Sequence, residues 1–350
     1  MIITICLQHS NALTDNTRIF LAYDFIRKIR MKTTSSIGLK LVAAAIMMAS
    51  CTQENVMLDS SPVTNHQVSI SFFEHSTEDI GDSPSDDTPS TARAYTGSRA
   101  DTQKSLQDCK IFSELVVSLI PTTEGLTETY VVNQDSLDDN FGHVGLDVPA
   151  GTYHMVAVAG RSVMPITTPI SIVSASEVRF PNDQVTDMVY AYQDITVRSD
   201  QSSQSISAGM QRGISAFELE STEFTPAKAA VVDLKITGNC GVVLNPATGK
   251  CKENSAVTRR IEFDGAKYQY KRPRFYIYAF LGEDDVSDLQ VDAVVKDKDG
   301  KVMRNLHFEN VHLEKGRVTR YSGKVFTKSD NIDFIVTYPT MEESKYSQTF

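Results

Sequence analysis

From Asp101 onward, nearly every apolar stretch of this chain has the pattern of a short β-strand. Apolar and polar residues alternate with a period of two, and Gly, Pro, Asn or Asp separates one stretch from the next. No stretch keeps a helical period for three turns with caps. The sequence therefore predicts an all-β fold built from β-sandwiches. The stretches are IFSELVVSLI (111–120), TYHMVAVAG (152–160), VYAYQDITV (189–197), AVVDLKITG (230–238), RFYIYAFLG (274–282), LQVDAVVKD (289–297), KVMRNLHFE (301–309) and RVTRYSGKVF (317–326).

Two features indicate how these strands are divided. In DAVVKDKDGKVMRNL, Asp299-Gly300 is a preferred short turn between alternating strands and predicts a hairpin. The segment VRSDQSSQSISAG consists mainly of small and polar residues, which indicates a boundary near 200 to 210. We expect an N-terminal β-sandwich over 101–204 and a C-terminal β-sandwich over 205–350, each long enough to bury a core.

Composition excludes several classes of partner. The chain has 350 residues and a net charge of −10, which suits a globular protein of about two domains. A nucleic-acid partner is not expected, because a phosphate-binding surface needs clustered Lys and Arg. No run reaches the roughly 18 apolar residues of a membrane-spanning helix.

An apolar run over 41–48 ends in Met48-Ala49-Ser50-Cys51. Lys32 and Lys40 precede this run, so the segment 31–50 has the order of a secretory signal peptide. Its end resembles a bacterial lipobox, in which small residues let a peptidase close on the chain and the cysteine thiol then carries lipid. Two or more acyl chains give stable anchoring. We therefore predict lipidation at Cys51; the alternative is a buried cysteine after a chance apolar stretch.

The segments before and after this signal differ in their composition and in their expected role. Residues 1–30 precede a complete signal and have no role in one, so we interpret them as a leader from a start codon chosen too far upstream. Residues 51–100 are rich in Ser, Thr, Asp and Pro and are predicted to be a polar tether. Within the tether, QVSISFFEH (67–75) is a candidate strand.

Cys240 and Cys251 lie on either side of a turn in NCGVVLNPATGKC. In an oxidising compartment a disulfide across this hairpin is geometrically possible. Separately buried thiols, like that of Cys109, are the alternative. The spacing is not Cys-x-x-Cys, so it indicates neither a zinc site nor a redox dithiol.

No motif points to catalysis. His307 and His312 are five residues apart, which is not a ligand spacing on one strand face, and the chain has no G-x-S-x-G, H-E-x-x-H, phosphate-binding or dinucleotide motif. We predict no catalytic residue, no metal and no cofactor. A second function is a surface glycan-binding lipoprotein of a polysaccharide-uptake system, in which Tyr276 and Tyr278 on one strand face would stack on sugar rings; packing within the protein is the alternative.

Three segments resemble the fimbrillin superfamily of Bacteroidales-type pilins and fimbrial anchor subunits. LDVPAGTYHMVAVAGRS (146–162) is similar to the family's first-domain turn and central strand, with Val158 where the family often has Trp. FENVHLEKGRVTRYSGKVF (308–326) is similar to its C-terminal hairpin, and QRGISAFEL (211–219) to the start of its second domain. The signal and lipobox fit the same family.

The resemblance implies two transthyretin-like β-sandwich domains in tandem and an outer-membrane lipoprotein exposed at the cell surface or in a fimbrium. It implies fimbrial subunits as partners, which add a strand to an open sheet edge, and a role in adhesion to a host or bacterial surface ligand. In family pilins an Arg-specific protease removes an N-terminal segment. Arg93 or Arg99 lies where such a cut would fall, and QVSISFFEH would be released. Without a cut, the resemblance implies an anchor or accessory subunit.

Overall fold

The structure is a computed structural model. It describes residues 64–75, 103–162, 164–328, 334–339 and 341. The lipidation site predicted at Cys51, the candidate protease sites Arg93 and Arg99, the leader and the signal lie outside the described residues. None of the helices in the described part is long and apolar enough to cross a membrane.

The described residues form short strands almost throughout. The strands are β1 (Asn65–His75), β2 (Gln103–Ser105), β3 (Glu114–Pro121), β4 (Tyr130–Asp135), β5 (His143–Pro149), β6 (Gly151–Gly160), β7 (Ser171–Ser174), β8 (Glu177–Arg179), β9 (Met188–Val197), β10 (Ser203–Arg212), β11 (Ser215–Ser221), β12 (Ala229–Thr237), β13 (Cys240–Gly241), β14 (Leu244–Asn245), β15 (Lys250–Cys251), β16 (Val257–Glu262), β17 (Arg274–Leu281), β18 (Val286–Asp297), β19 (Val302–Glu314), β20 (Val318–Gly323) and β21 (Ile335–Thr337). The helical elements are α1 (Leu106–Cys109) and a 3₁₀ turn (Pro181–Asp183).

The predicted all-β class is confirmed. Each of the eight predicted stretches overlaps a strand: β3, β6, β9, β12, β17, β18, β19 and β20. The predicted hairpin forms between β18 and β19, and its turn is closed by hydrogen bonds from Asp297 N to Lys301 O (2.9 Å) and from Gly300 N to Asp297 O (2.9 Å).

The first sandwich consists of two layers. One layer has four strands in the order β9-β6-β3-β4. In the other layer, β1 lies between β10 on one side and the strands β5 and β2 on the other. The two layers are connected where β10 and β9 pair at Arg212 and Val189. Alternating side chains from both layers form one core; among its members are Val117 and Met155 of the first layer and Ile70 and Met210 of the second.

The second sandwich packs the sheet β13-β17-β11-β20-β21 against the sheet β16-β12-β18-β19. Phe217, Phe275 and Phe308 lie in the core between them, and Phe217 and Phe308 are in ring contact at 5.7 Å. Antiparallel sheets with one apolar face form such a core because strand residues alternate between the two faces.

A third cluster of buried side chains joins the two sandwiches. The hairpin β7–β8 pairs with β14 and β15 in a small sheet, through Val178 and Leu244. Phe180 contacts the ring of Phe280 at 5.6 Å, and Tyr190 belongs to the same cluster. The two sandwiches therefore share apolar contacts and are not joined only by a linker.

The structure changes two details of the sequence interpretation. Residues 204 and 205, between which the boundary is expected, both lie inside β10, which pairs with β1 and β9; the chain passes from β10 into β11 through Gly213 and Ile214. A Cβ on Gly213 would lie 2.8 Å from the ring of Tyr190, so the passage has no room for a side chain. The segment 308–326 is not a hairpin: β19 and β20 belong to different sheets, and their connection forms a corner of the sandwich.

Candidate functional site

The strand β1 is an inner strand of the first sandwich, and its side chains alternate between core and surface. Val68, Ile70 and Phe72 are completely buried, whereas Gln67 and Ser69 are exposed. Burial of a large apolar side chain contributes about 1.5–3 kcal/mol. A segment close to the predicted lipidation site therefore supplies a substantial share of the first core.

Both edges of β1 are hydrogen-bonded to other strands. Along one edge it pairs in parallel with β10, from Gln67 opposite Ser203 to Glu74 opposite Met210. Along the other edge it pairs antiparallel with β5 and then with β2. Because β1 occupies the space between these strands, its removal would leave open edges on both sides.

A nearly buried cluster of charged side chains holds the C-terminal end of β1. Arg212 of β10 donates from Nη2 to Oε1 of Glu74 over 2.8 Å and from Nη1 to Oδ1 of Asp187. The side chains of Glu74, Arg212 and Asp187 are only 5, 12 and 7% exposed. Cys109 Sγ donates to the second oxygen of Glu74 at 3.1 Å. Removing one charge from such a cluster leaves another unpaired in surroundings of low dielectric constant, which is costly.

The N-terminal end of β1 is also fixed. The His66 ring nitrogen Nδ1 lies 2.6 Å from Gln201 O, and Gln67 N donates to Ser202 O over 3.1 Å. Both contacts reach the loop that leads into β10. The strand is thus held at both ends by the same neighbour.

The turn between β5 and β6 carries the residues of the PAGTY segment. Tyr153 is buried, and its hydroxyl donates to Pro149 O over 2.9 Å. Burial of this phenol raises its pKa to about 12. The hydrogen bond fixes the sharp turn that brings β5 beside β1 and β6 into the opposite layer.

A polar groove of about 780 Å³ lies on the outer face of the sheet β16-β12-β18-β19. Its two carboxylates have basic partners: Asp233 accepts from Lys296 at 2.7 Å and Arg260 at 3.2 Å, and Asp292 lies 2.6 Å from the His307 ring. The hydrogen bond that the His307 ring donates to Asp292 raises the pKa of His307.

The two histidines considered in the sequence analysis lie on β19, and each is paired with an aspartate on the neighbouring strand β18. His307 contacts Asp292, and His312 contacts Asp288 at 3.1 Å. Within the described ranges, no group of three His, Cys, Asp or Glu side chains is placed to hold a metal ion.

The predicted sugar platform is not at the surface. Tyr276 and Tyr278 do share a strand face and stack with ring centroids 6.2 Å apart, but they face the cluster between the two sandwiches, and Tyr276 is only 3% exposed. Arg259 lies over the Tyr278 ring at 5.9 Å, and burial raises the pKa of Tyr278. Tyr276 therefore has no face open to a sugar ring, and Tyr278 is half-buried against the same cluster.

Cys240 and Cys251 are free thiols in the structure, as is Cys109. Cys240 is buried at the start of β13, and Cys251 is half-buried in β15. Burial raises the pKa of Cys240 to about 12 and also raises that of Cys251. The disulfide between them stays a prediction.

Sequence reasoning missed β10 and the charged cluster at its end. The segment resembles a linker because its outward positions hold Ser and Gln. Its inward positions, Ile206, Ala208 and Met210, alternate with a period of two and were the available signal. No sequence signal pairs Glu74 with Arg212, because the two residues meet only through the pairing of β1 with β10.

The fold and the site define the class of this protein: two β-sandwiches in tandem, the first of which is completed by an N-terminal strand. A family model described as fimbrillin-A associated anchor proteins Mfa1 and Mfa2 matches residues 122–303. The match covers more than half of the chain, and the protein therefore belongs to this family. Membership bears out the resemblance to the fimbrillin superfamily.

Several solved structures are similar to this chain. A fimbrial assembly protein from Parabacteroides distasonis has 11% identity and a TM-score of 0.40, over 80% of this chain and 97% of that chain. A candidate adhesin from Bacteroides thetaiotaomicron has 12% identity and a TM-score of 0.41, over 80 and 97%. A candidate polysaccharide-binding protein from the same organism has 9% identity and a TM-score of 0.41, over 80 and 99%. No curated protein matches the sequence.

Proposed function

We propose that this protein is a lipid-anchored fimbrial anchor or accessory subunit. Cys51 carries the lipid that holds it in the outer membrane, and the two sandwiches engage neighbouring fimbrial subunits through sheet edges and support adhesion. The proposal gives the chain no catalytic role. The family and the lipobox in Met48-Ala49-Ser50-Cys51 support it.

The observation that carries the proposal is the position of β1. The strand β1 begins at Asn65, so residues 52–64 separate it from Cys51 in the sequence. Thirteen residues span at most about 45 Å when fully extended. A lipid on Cys51 would therefore hold the first sandwich close to the membrane through a strand that is part of its core. The segment expected to be one long tether is divided by β1 into a short anchor segment and the connection 76–102.

Strand addition has two possible places in this fold. Outer strands such as β4 and β21 have one edge without a neighbour in the described sheets; the side chains of Val131 and Ile335 are 53 and 68% exposed there. The space of β1 is the second place. A cut at Arg93 or Arg99 would leave β1 held by its hydrogen bonds and core contacts alone, and a neighbour's strand could replace it.

We propose that the uncut form is the functional one, because the charged cluster and three buried side chains retain β1. In this form the chain remains attached to Cys51 and serves as an anchor or accessory subunit. In the cut form it would lose the lipid and polymerise as a pilin.

Intact-mass measurement of the protein purified from the cell surface tests the proposal. We expect an N-terminus at Cys51 with the added mass of acyl chains. An N-terminus at Ala94 or Ala100 would show cleavage after Arg93 or Arg99 and assign the chain to the polymerising subunits. An unmodified residue 51 in a longer chain would contradict lipid anchoring. A Cys51→Ala variant is the matched control and should leave the membrane fraction.

The sandwich boundaries follow from the same topology. We propose that the first sandwich comprises β1 to β10 and the second β11 to β21, with the passage at Gly213 and Ile214. The small sheet that pairs β8 with β14 crosses this boundary.

A further inference from the structure

The end of the second sandwich that lies away from the first carries a separate surface feature. β11 begins at Ser215, directly after the passage between sandwiches, and ends at Ser221. Four connections meet at this far end: residues 222–228, 263–273, 298–301 and 324–328. We call them the basic pole.

Hydrogen bonds tie the four connections together. Thr225 N donates to Lys271 O (3.0 Å), and Lys298 N donates to Lys228 O (3.0 Å). Phe326 N donates to the carboxylate of Glu223 over 2.9 Å. The basic pole is therefore a built surface and not a set of independent loops.

Close packing also fixes the longest connection. Gly265 N donates to Ala229 O over 3.0 Å. A Cβ on Gly265 would lie 2.3 Å from Ala229 O and 2.4 Å from Pro226 O, so only glycine permits this approach. The aromatic and basic residues that follow Gly265 are held on an ordered base.

The charge of the basic pole is opposite to that of the protein. The four connections contain eight basic and three acidic residues, a net charge of +5 in a chain whose net charge is −10. All eight basic side chains are exposed, and none forms a salt bridge with another described residue: Lys228, Lys267, Lys271, Arg272, Lys298, Lys301, Lys324 and Lys328.

Exposed aromatic rings lie among these cations. Tyr270 is 81% exposed and Phe224 is 58% exposed. Arg272 lies over the Phe224 ring at 5.4 Å, and Lys267 and Lys271 lie over the Tyr268 ring at 5.4 and 5.6 Å. Cation–π contacts of this kind orient the cations beside the rings.

We infer that the basic pole binds an acidic polysaccharide. The rings offer flat faces with partial negative charge to the C–H edges of sugar rings, and the surrounding lysines and arginine attract carboxylates or sulfates along the chain. Charge complementarity favours an anionic glycan over a neutral one, because a neutral glycan would not use the cations. The inference goes beyond the proposed fimbrial role and does not require the lipid at Cys51.

Binding of polygalacturonate to the purified full chain tests the inference, with neutral dextran as the comparison. We expect binding to polygalacturonate that weakens as sodium chloride is raised, since exposed charges are screened. Tyr270→Ala and the double variant Lys271→Gln/Arg272→Gln should each weaken it about fivefold or more. All three side chains are exposed, so the thermal unfolding midpoint should not change.

Matched controls lie elsewhere on the surface. Lys235→Gln removes an exposed lysine in the middle of β12, and Tyr338→Ala removes a tyrosine that is 53% exposed beside His312. Both should leave the affinity within about twofold of the original. Equal affinity for dextran, or equal losses in the control variants, would overturn the inference. So would binding to phosphatidylglycerol vesicles that depends on Tyr270 without binding to polygalacturonate, because this outcome assigns the pole to a lipid surface.

The outcome of this binding experiment is independent of the outcome of the intact-mass measurement. An unacylated Cys51 would contradict the proposed anchoring and leave the polysaccharide binding unchanged. Loss of polysaccharide binding would leave the fimbrial role intact.

Discussion

Glu74 and Arg212 form a nearly buried ion pair, 2.8 Å from Oε1 to Nη2, between the C-terminal ends of two parallel strands. Asp187 and Cys109 complete the surroundings of these two side chains. The pair closes the space between β1 and β10 at the point where the chain leaves β1 for the connection that contains Arg93 and Arg99. It therefore bears directly on whether β1 stays in the sheet.

Glu74→Gln should destabilise the protein by about 3 kcal/mol, because Arg212 would lose one of two carboxylate partners while remaining nearly buried. Chemical denaturation monitored by circular dichroism measures this loss. Asp200→Asn is the control: it removes the exposed pair with Arg198 in the same sandwich and should cost no more than about 1 kcal/mol. Equal losses in the two variants would contradict a structural role for the buried pair.

Ile70→Ala should cost about 2–5 kcal/mol, because Ile70 is completely buried in the first core and its truncation leaves a cavity. The neighbouring Ser69→Ala, on the exposed face of the same strand, should change stability by less than about 0.5 kcal/mol. Unfolding by denaturant measures both. If Ile70→Ala were as mild as Ser69→Ala, β1 would not be part of the folded core in solution.

Cysteine labelling should distinguish Cys240 from Cys251. The thiolate is the reactive form, and burial raises the pKa of Cys240 to about 12. At pH 8 under reducing conditions, iodoacetamide should therefore modify half-buried Cys251 well before Cys240. Mass spectrometry of peptides gives the order.

The same experiment without reductant tests the predicted disulfide. If Cys240 and Cys251 are joined, neither is labelled until reductant is added, and the linked peptides are 2 Da lighter than the two thiols together, about the mass of two hydrogens. Rapid labelling of Cys251 in the protein taken directly from the cell surface would contradict the disulfide.

His307 should titrate above its ordinary pKa, because Asp292 accepts a hydrogen bond from its ring and Glu309 lies near. A raised pKa in the folded state stabilises the protonated form. The contribution to stability is therefore fully present below the ordinary value and is lost as the pH rises through the raised one. NMR titration of the ring should show this pKa falling in Asp292→Asn and falling less in Glu309→Gln. A pKa unchanged by Asp292→Asn would contradict the contact.

The sequence predicted most of the strands because alternation is a local property. A segment such as RFYIYAFLG shows its period of two in any context, and β17 has this pattern in the structure. The sequence did not show that both faces of β17 are buried in the fold. Phe275 lies in the core of the second sandwich, and Tyr276 lies against the cluster between the sandwiches. Alternation alone does not distinguish such a strand from one with an exposed aromatic face, and the sequence therefore also allows a sugar platform.

β10 shows the opposite case. Its Ser- and Gln-rich composition indicates a linker, yet it forms a strand because β1 pairs with it in parallel from Ser203 to Met210. Tertiary pairing here outweighs local propensity, which is weak and dependent on context for strands.

The sequence by itself determined the all-β class, the positions of the main strands and the segments that resemble the fimbrillin superfamily, since these depend on local periodicity and short motifs. Only the tertiary structure decided that β1 is an inner strand, that Glu74 meets Arg212, that Tyr276 is buried and that the basic residues of four connections gather at one pole. Such contacts join residues far apart in the chain, and they follow from which strands share edges and which faces share a core.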